Sequence, residues 1–89
     1  MKLVINRGFG AFSLSKAAYA YLGLEWDDCG YPNLKRDDAR LVECVETLGK
    51  KANGIFAELK VVEIPDDVKY TIEHYGGIES VHEVHRVWR

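Results

Sequence analysis

The chain has 89 residues, a formal net charge of -2, 47% hydrophobic and 29% charged side chains. That length allows one domain, residues 1–89, and the supply of Val, Ile, Leu and aromatic residues excludes intrinsic disorder. The acidic balance argues against a dedicated nucleic-acid binder, and no apolar run approaches the roughly 20 residues that span a bilayer.

Leu3-Val4-Ile5 is a short β-branched run that reads as a buried strand, broken by Asn6-Arg7-Gly8-Phe9-Gly10. Ser13 or Ser15 can cap a helix beginning near Lys16, with Leu14, Ala18, Tyr21 and Leu22 on one face and Gly23 as its stop. Glu25 to Lys35 is irregular, rich in turn formers such as Asp27-Asp28, Gly30 and Pro32-Asn33. Asp37 is the expected cap of a second helix over Asp38 to Leu48, where Leu41, Cys44, Val45 and Leu48 repeat at helical spacing.

Asn53-Gly54 is a turn signal, and Ile55 to Ile64 then alternates as a strand with Ile55, Ala57, Leu59 and Val61 facing the core. Pro65-Asp66-Asp67 turns the chain into a half-buried strand carrying Val68, Tyr70, Ile72 and His74. After Gly76-Gly77, Ile78 to Arg89 fits a helix or a strand; the glycine pair and four β-branched residues favour the strand, which would group Ile78, Ser80, His82, Val84 and Trp88. The expected fold is α+β: one N-terminal strand, two helices, then a three-stranded antiparallel meander, forming a single small sheet packed on the helices. A core this small leaves roughly 5 kcal/mol of net stability, so homo-oligomerisation is expected.

The loop Arg7-Gly8-Phe9-Gly10-Ala11-Phe12-Ser13 leaves a strand and runs into a helix. Its glycines could aim amide hydrogens at an anion, Arg7 could add a guanidinium matched to phosphate, and Phe9 or Phe12 could stack on a base. Equally, the segment reads as a tight connection whose phenylalanines plug the core. Neither GxxxxGK[ST] nor GxGxxG is completed. In the tail, Arg86 and Arg89 are anion-binding candidates with Trp88 as a stacking plate, or else a solvated strand whose Trp88 completes the core. Ligand contacts are accordingly assigned to Arg7, Gly8, Phe9, Gly10, Arg86 and Trp88.

Metal binding is not expected: His82 and His85 share a side only in a helix, His74 is distant in sequence, and no cysteine pair or carboxylate cluster completes a set. Catalysis is not expected either. The pairs Asp27-Asp28, Asp37-Asp38 and Asp66-Asp67 fall at turns or helix starts, Ser13 and Ser15 have no local base, and Asp28 beside Cys29 disfavours the thiolate. Cys29 and Cys44 read as free thiols, and no cofactor is implied. Lys35-Arg36 and Lys50-Lys51 bracket the second helix, as a basic edge or simply as exposed ends. Met1–Asn6 is too short for a signal-peptide core, so the cytoplasm is the expected location.

Three stretches carry a resemblance: Met1-Lys2-Leu3-Val4-Ile5-Asn6-Arg7-Gly8-Phe9-Gly10-Ala11-Phe12-Ser13-Leu14-Ser15; Arg36-Asp37-Asp38-Ala39-Arg40-Leu41-Val42-Glu43 through Lys51-Ala52-Asn53-Gly54; and Leu59-Lys60-Val61-Val62-Glu63-Ile64-Pro65-Asp66-Asp67-Val68 through Glu79, Glu83, His85-Arg86 and Trp88. Through these the chain resembles a widespread family of small bacteriophage and prophage proteins, mostly without an assigned function. The resemblance covers nearly all of it except about Trp26 to Lys35, where family members are longer. In scale and style it is also similar to phage anti-Thoeris sponges, which trap a cyclic ADP-ribose signal, and it falls in the size range of anti-CRISPR proteins. The resemblance implies a non-enzymatic counter-defence protein that sequesters a nucleotide-derived, phosphate-bearing molecule in the host cytoplasm. The alternative is a protein–protein inhibitor of a host enzyme or defence complex, with Tyr19, Tyr21, Trp26 and Tyr31 as anchoring aromatics.

Overall fold

The computed structural model describes residues 1–83 and 87–88. In chain order it contains β1 (Lys2–Asn6), α1 (Lys16–Leu22), α2 (Ala39–Leu48) continued by a 3-10 turn (Gly49–Ala52), then β2 (Leu59–Glu63), β3 (Thr71–Tyr75), β4 (Ile78–His82) and β5 (Val87–Trp88). This is a small α+β domain with two helices and two antiparallel sheets.

Both helices begin on side-chain caps. The Ser15 hydroxyl accepts the Ala18 N–H at 3.1 Å, and Gly23 closes α1 in the left-handed region. Asp38, rather than Asp37, caps α2 by accepting the Arg40 and Leu41 amides, so the helix starts one residue later than expected. Along α1 the buried set is Ala18, Tyr19 and Leu22, while Tyr21 turns outward and its hydroxyl donates to Glu43.

The single-sheet expectation is corrected. β2 pairs with β1, matching Leu3 with Val62 and Ile5 with Lys60, and the meander is built from β3, β4 and β5 instead. The cause is an apolar pattern on both faces of the β1–β2 ribbon. Val4, Leu59 and Val61 join Leu14, Leu22, Leu41 and Val45 under the helices; Leu3, Ile5, Val62 and Ile64 point the other way, onto Val81 and Ile72. A two-stranded ribbon apolar on both sides must be covered twice, and one sheet cannot do that. The ribbon is therefore the middle of three layers.

The strand expected from Ile55 starts only at Leu59. Asn53 Oδ1 accepts the Leu59 amide at 2.9 Å, and the Gly54 carbonyl accepts the Ala57 amide at 3.1 Å, so local bonds take groups that a ladder would need. Ile55 and Phe56 consequently project outward instead of joining the core, and only Ala57 of the early positions is buried. In the tail β4 is a strand, as expected, and it buries Glu79 and Val81; Ile78, Ser80 and His82 form its other side. Trp88 lies opposite Val81, off the register that the continuous strand predicted, while Val84 falls outside the described residues.

The outer edge of β1 is closed by two residues. Arg36 accepts the Val4 N–H on its carbonyl at 2.9 Å and donates from Nη1 to the Val4 carbonyl at 3.2 Å. Glu79 Oε1 accepts the Asn6 N–H at 2.8 Å, and its carboxylate takes both terminal nitrogens of Arg36, at 2.5 and 2.8 Å. The guanidinium also lies 3.7 Å above the Phe12 ring centroid. Breaking one side of so buried a pair costs about 3–5 kcal/mol, whereas replacing both partners with apolar groups costs far less. Arg36→Met and Glu79→Leu should each therefore remove most of the folding stability in urea titrations. The double variant should lose clearly less than the sum of the two, remaining below the wild type because the Asn6 amide still lacks its acceptor. Additive losses would contradict this account.

Candidate functional site

The glycine loop after β1 is tied into the fold through its amides. Arg7 N–H donates to the Glu58 carbonyl at 2.7 Å, Gly8 N–H to Asn6 Oδ1 at 2.9 Å, and Gly10 N–H to the Phe56 carbonyl at 3.1 Å. Gly8 is needed for close approach: a Cβ there would stand 2.5 Å from the Phe56 carbonyl oxygen. Arg7 Nη1 donates to the Glu79 carbonyl at 2.7 Å, so this guanidinium reaches across to β4. Phe12 is half-buried against the helical core, as the plugging alternative supposed, but Phe9 is 86% exposed. Arg86 lies outside the described residues, and Trp88 is placed by its strand register alone. The structure thus brings Arg7, Gly8, Phe9 and Gly10 together with Phe56 and Glu58, with those three amides already bonded.

A larger concavity lies on the neighbouring side. A cleft of about 500 Å³ is bounded by Gly10–Ala11, by Ser13–Lys16 leading into α1, by the 26–31 bend and by the Asn53–Phe56 turn. Its walls hold three aromatic side chains, Trp26, Tyr31 and Phe56, and its rim carries Lys16 and Asp28. Each wall has a local cause. Trp26 is set edge-on to the buried Tyr19 ring, with centroids 5.1 Å apart and planes at 85°. Asp27 Oδ1 accepts the Cys29 and Gly30 amides, both at 2.9 Å, which folds the bend back on itself. Gly30 adopts a positive φ and lies so near Leu14 that a Cβ would stand 2.5 Å from the Leu14 carbonyl oxygen. The Leu14 N–H in turn donates to the Gly30 carbonyl at 2.8 Å.

Phe56 has φ 64°, in the left-handed region, with its ring 80% exposed. That conformation costs about 1–2 kcal/mol in an L-residue and is sustained here by the surrounding backbone bonds. A strained backbone presenting a bare aromatic ring is a feature that packing alone does not require.

Of the aromatics expected to anchor a partner, Tyr19 is in the core, Tyr21 bonds Glu43, and Trp26 and Tyr31 face the cleft. Sequence reasoning missed the cleft because its walls come from three separated segments; Trp26 and Tyr31 beside an Asp-Gly bend were the available signal. Cys29 is exposed on the cleft wall, whereas Cys44 is buried and burial pushes its thiol up. Among the described residues no group of three or more His, Cys, Asp or Glu could hold a metal ion, and no helix is long and apolar enough to cross a membrane. Comparison with protein-family models, curated proteins and solved structures finds no match to this chain.

The Gly30 and Cys29 amides hold the Asp27 carboxyl below its usual range. The sign follows from linkage: a depressed carboxyl stabilises the bend above its unfolded pKa, and the contribution is lost as pH falls through the lower folded value. In an NMR pH titration the Cys29 and Gly30 amide resonances should therefore move together with a midpoint below about 3.9, the ordinary aspartate value. A midpoint at or above that value would contradict the assignment.

Proposed function

We propose that this protein is a non-catalytic binding module whose 26–31 and 53–56 cleft captures a small ligand with a planar ring system and a phosphate group. The observation carrying this reading is the convergence of Trp26, Tyr31 and Phe56 on one cleft of about 500 Å³ with Lys16 at its rim. That volume lies within the usual range for small-molecule sites, about 300–1,000 Å³. Aromatic walls accept any base on its π-face, and a rim ammonium pairs with phosphate while remaining hydrated. Asp28, on the same rim, suits a hydroxyl-bearing part of the ligand such as a ribose. The resemblance to small phage proteins gives this chemistry a use: holding a nucleotide-derived signal away from its receptor without altering it. The contacts fall on Lys16, Trp26, Tyr31 and Phe56; of the ligand-binding residues expected from the sequence, Gly10 is the one among the described residues that lines this cleft.

Isothermal titration against cyclic nucleotides and ADP-ribose derivatives tests the reading. Heat of binding is expected for at least one of them, with the compound recovered intact. Base stacking is worth about 1–3 kcal/mol per base, so Tyr31→Ala should weaken binding about 5-fold to 150-fold. Labelling exposed Cys29 with a bulky maleimide should block it. No heat with any compound at about 100 μM would remove the proposal.

A further inference from the structure

Beyond the cleft, one end of the molecule gathers three loops: the one after β1, the Asn53–Phe56 turn and the β3–β4 hairpin tip. Gly10 N–H donates to the Phe56 carbonyl, and Gly77 sits directly against the carbonyl oxygens of Phe9 and Gly10, two residues after Tyr75. From these loops Phe9, Ile55, Phe56 and Tyr75 project, exposed by 86%, 80%, 80% and 91%. Large apolar side chains so bare, at one end of a small domain, mark an interaction surface.

We infer that this apolar end is the contact between two copies of the chain in a twofold dimer. Two observations favour a second copy as the occupant. The first is charge. A shallow groove of about 280 Å³ is lined by Arg7, Phe9, Phe56 and Glu58, so it carries one cation and one anion. A twofold contact over it that pairs each Arg7 with the partner's Glu58 meets the self-complementarity an isologous interface needs. Arg7 spends Nη1 on the Glu79 carbonyl, and a guanidinium carries five N–H donors in all. The second is area. Aromatic side chains offer about 150–250 Å² each, so Phe9, Phe56 and Tyr75 supply roughly 450–750 Å², with Ile55 in addition, towards the 800 Å² or so per partner of a standard interface. The strained backbone at Phe56 fits the same use, because it presents a ring that a relaxed glycine would not.

The inference does not depend on the ligand reading; a monomer that binds ligand, or a dimer that does not, would separate the two. Analytical ultracentrifugation of the full chain at about 100 μM should give twice the 10.1 kDa chain mass. Phe9→Asp and Glu58→Lys should each give a monomer with an unchanged far-ultraviolet spectrum. Phe56→Gly should also dissociate the dimer while leaving the dilute protein at least as heat-stable as the wild type; a purely structural role would raise heat stability without changing the mass. A monomeric wild type would overturn the inference and leave this end to a different protein. A dimer indifferent to all three substitutions would overturn it by locating the contact elsewhere.

Discussion

The unpaired long edge of β1 is the constraint around which this domain is arranged. A five-residue strand paired on one side presents its other backbone groups to whatever lies beside it, and these must be satisfied where water is excluded. The chain does so with residues drawn from far along the sequence. Arg36 closes the edge at Val4, Glu79 closes it at Asn6, and the two close on each other. Asn6, which is fully buried, completes the arrangement. Its Oδ1 accepts the Gly8 and Glu58 amides, and its Nδ2 donates to the carbonyls of Gly10 and Gly77 at 2.5 and 2.9 Å. One asparagine thereby joins the loop after β1, the approach to β2 and the β3–β4 hairpin. Among the described residues no buried side-chain nitrogen or oxygen lacks a partner.

The surfaces of interest follow from that junction. Because Asn6 and Glu79 draw three loops to one end of the ribbon, the apolar side chains at their tips cannot return to the core. Phe56 is turned outward by the local bonds of its turn, and its carbonyl oxygen lies so near Gly8 that a Cβ there would stand 2.5 Å away. Phe56 stands between two concavities, the aromatic cleft and the shallower groove beside Phe9. Ligand capture and self-association would therefore share a wall, and ordering one would bear on the other.

Local signals in the sequence carried the helices well. The Leu41, Cys44, Val45, Leu48 spacing and the Ser15 and Gly23 caps correspond to what forms, with α2 displaced by a single residue. Turn chemistry at Gly76-Gly77 also placed the β3–β4 hairpin. The partner of β1 was not legible, because alternation within one strand says which residues share a face and nothing about which strand lies beside it. The ribbon's two-sided burial was hidden for a related reason: Leu3-Val4-Ile5 reads as buried without saying against how many layers. Asn6 looked like a strand breaker, and its role depends on Glu58 and Gly77, which only the folded chain brings near. The glycines after it suggested an anion cradle, since a short glycine pattern looks the same whether its amides face a ligand or a neighbouring strand.

The most direct measurement of the junction is amide hydrogen exchange at Gly8 and Glu58. Neither residue lies in a helix or strand, yet both donate to the Asn6 side chain at 2.9 Å. The account predicts that these two amides exchange as slowly as those of the β1–β2 ladder, opening only when the ribbon does. Exchange as fast as that of ordinary surface loops would show that Asn6 does not hold the three segments together.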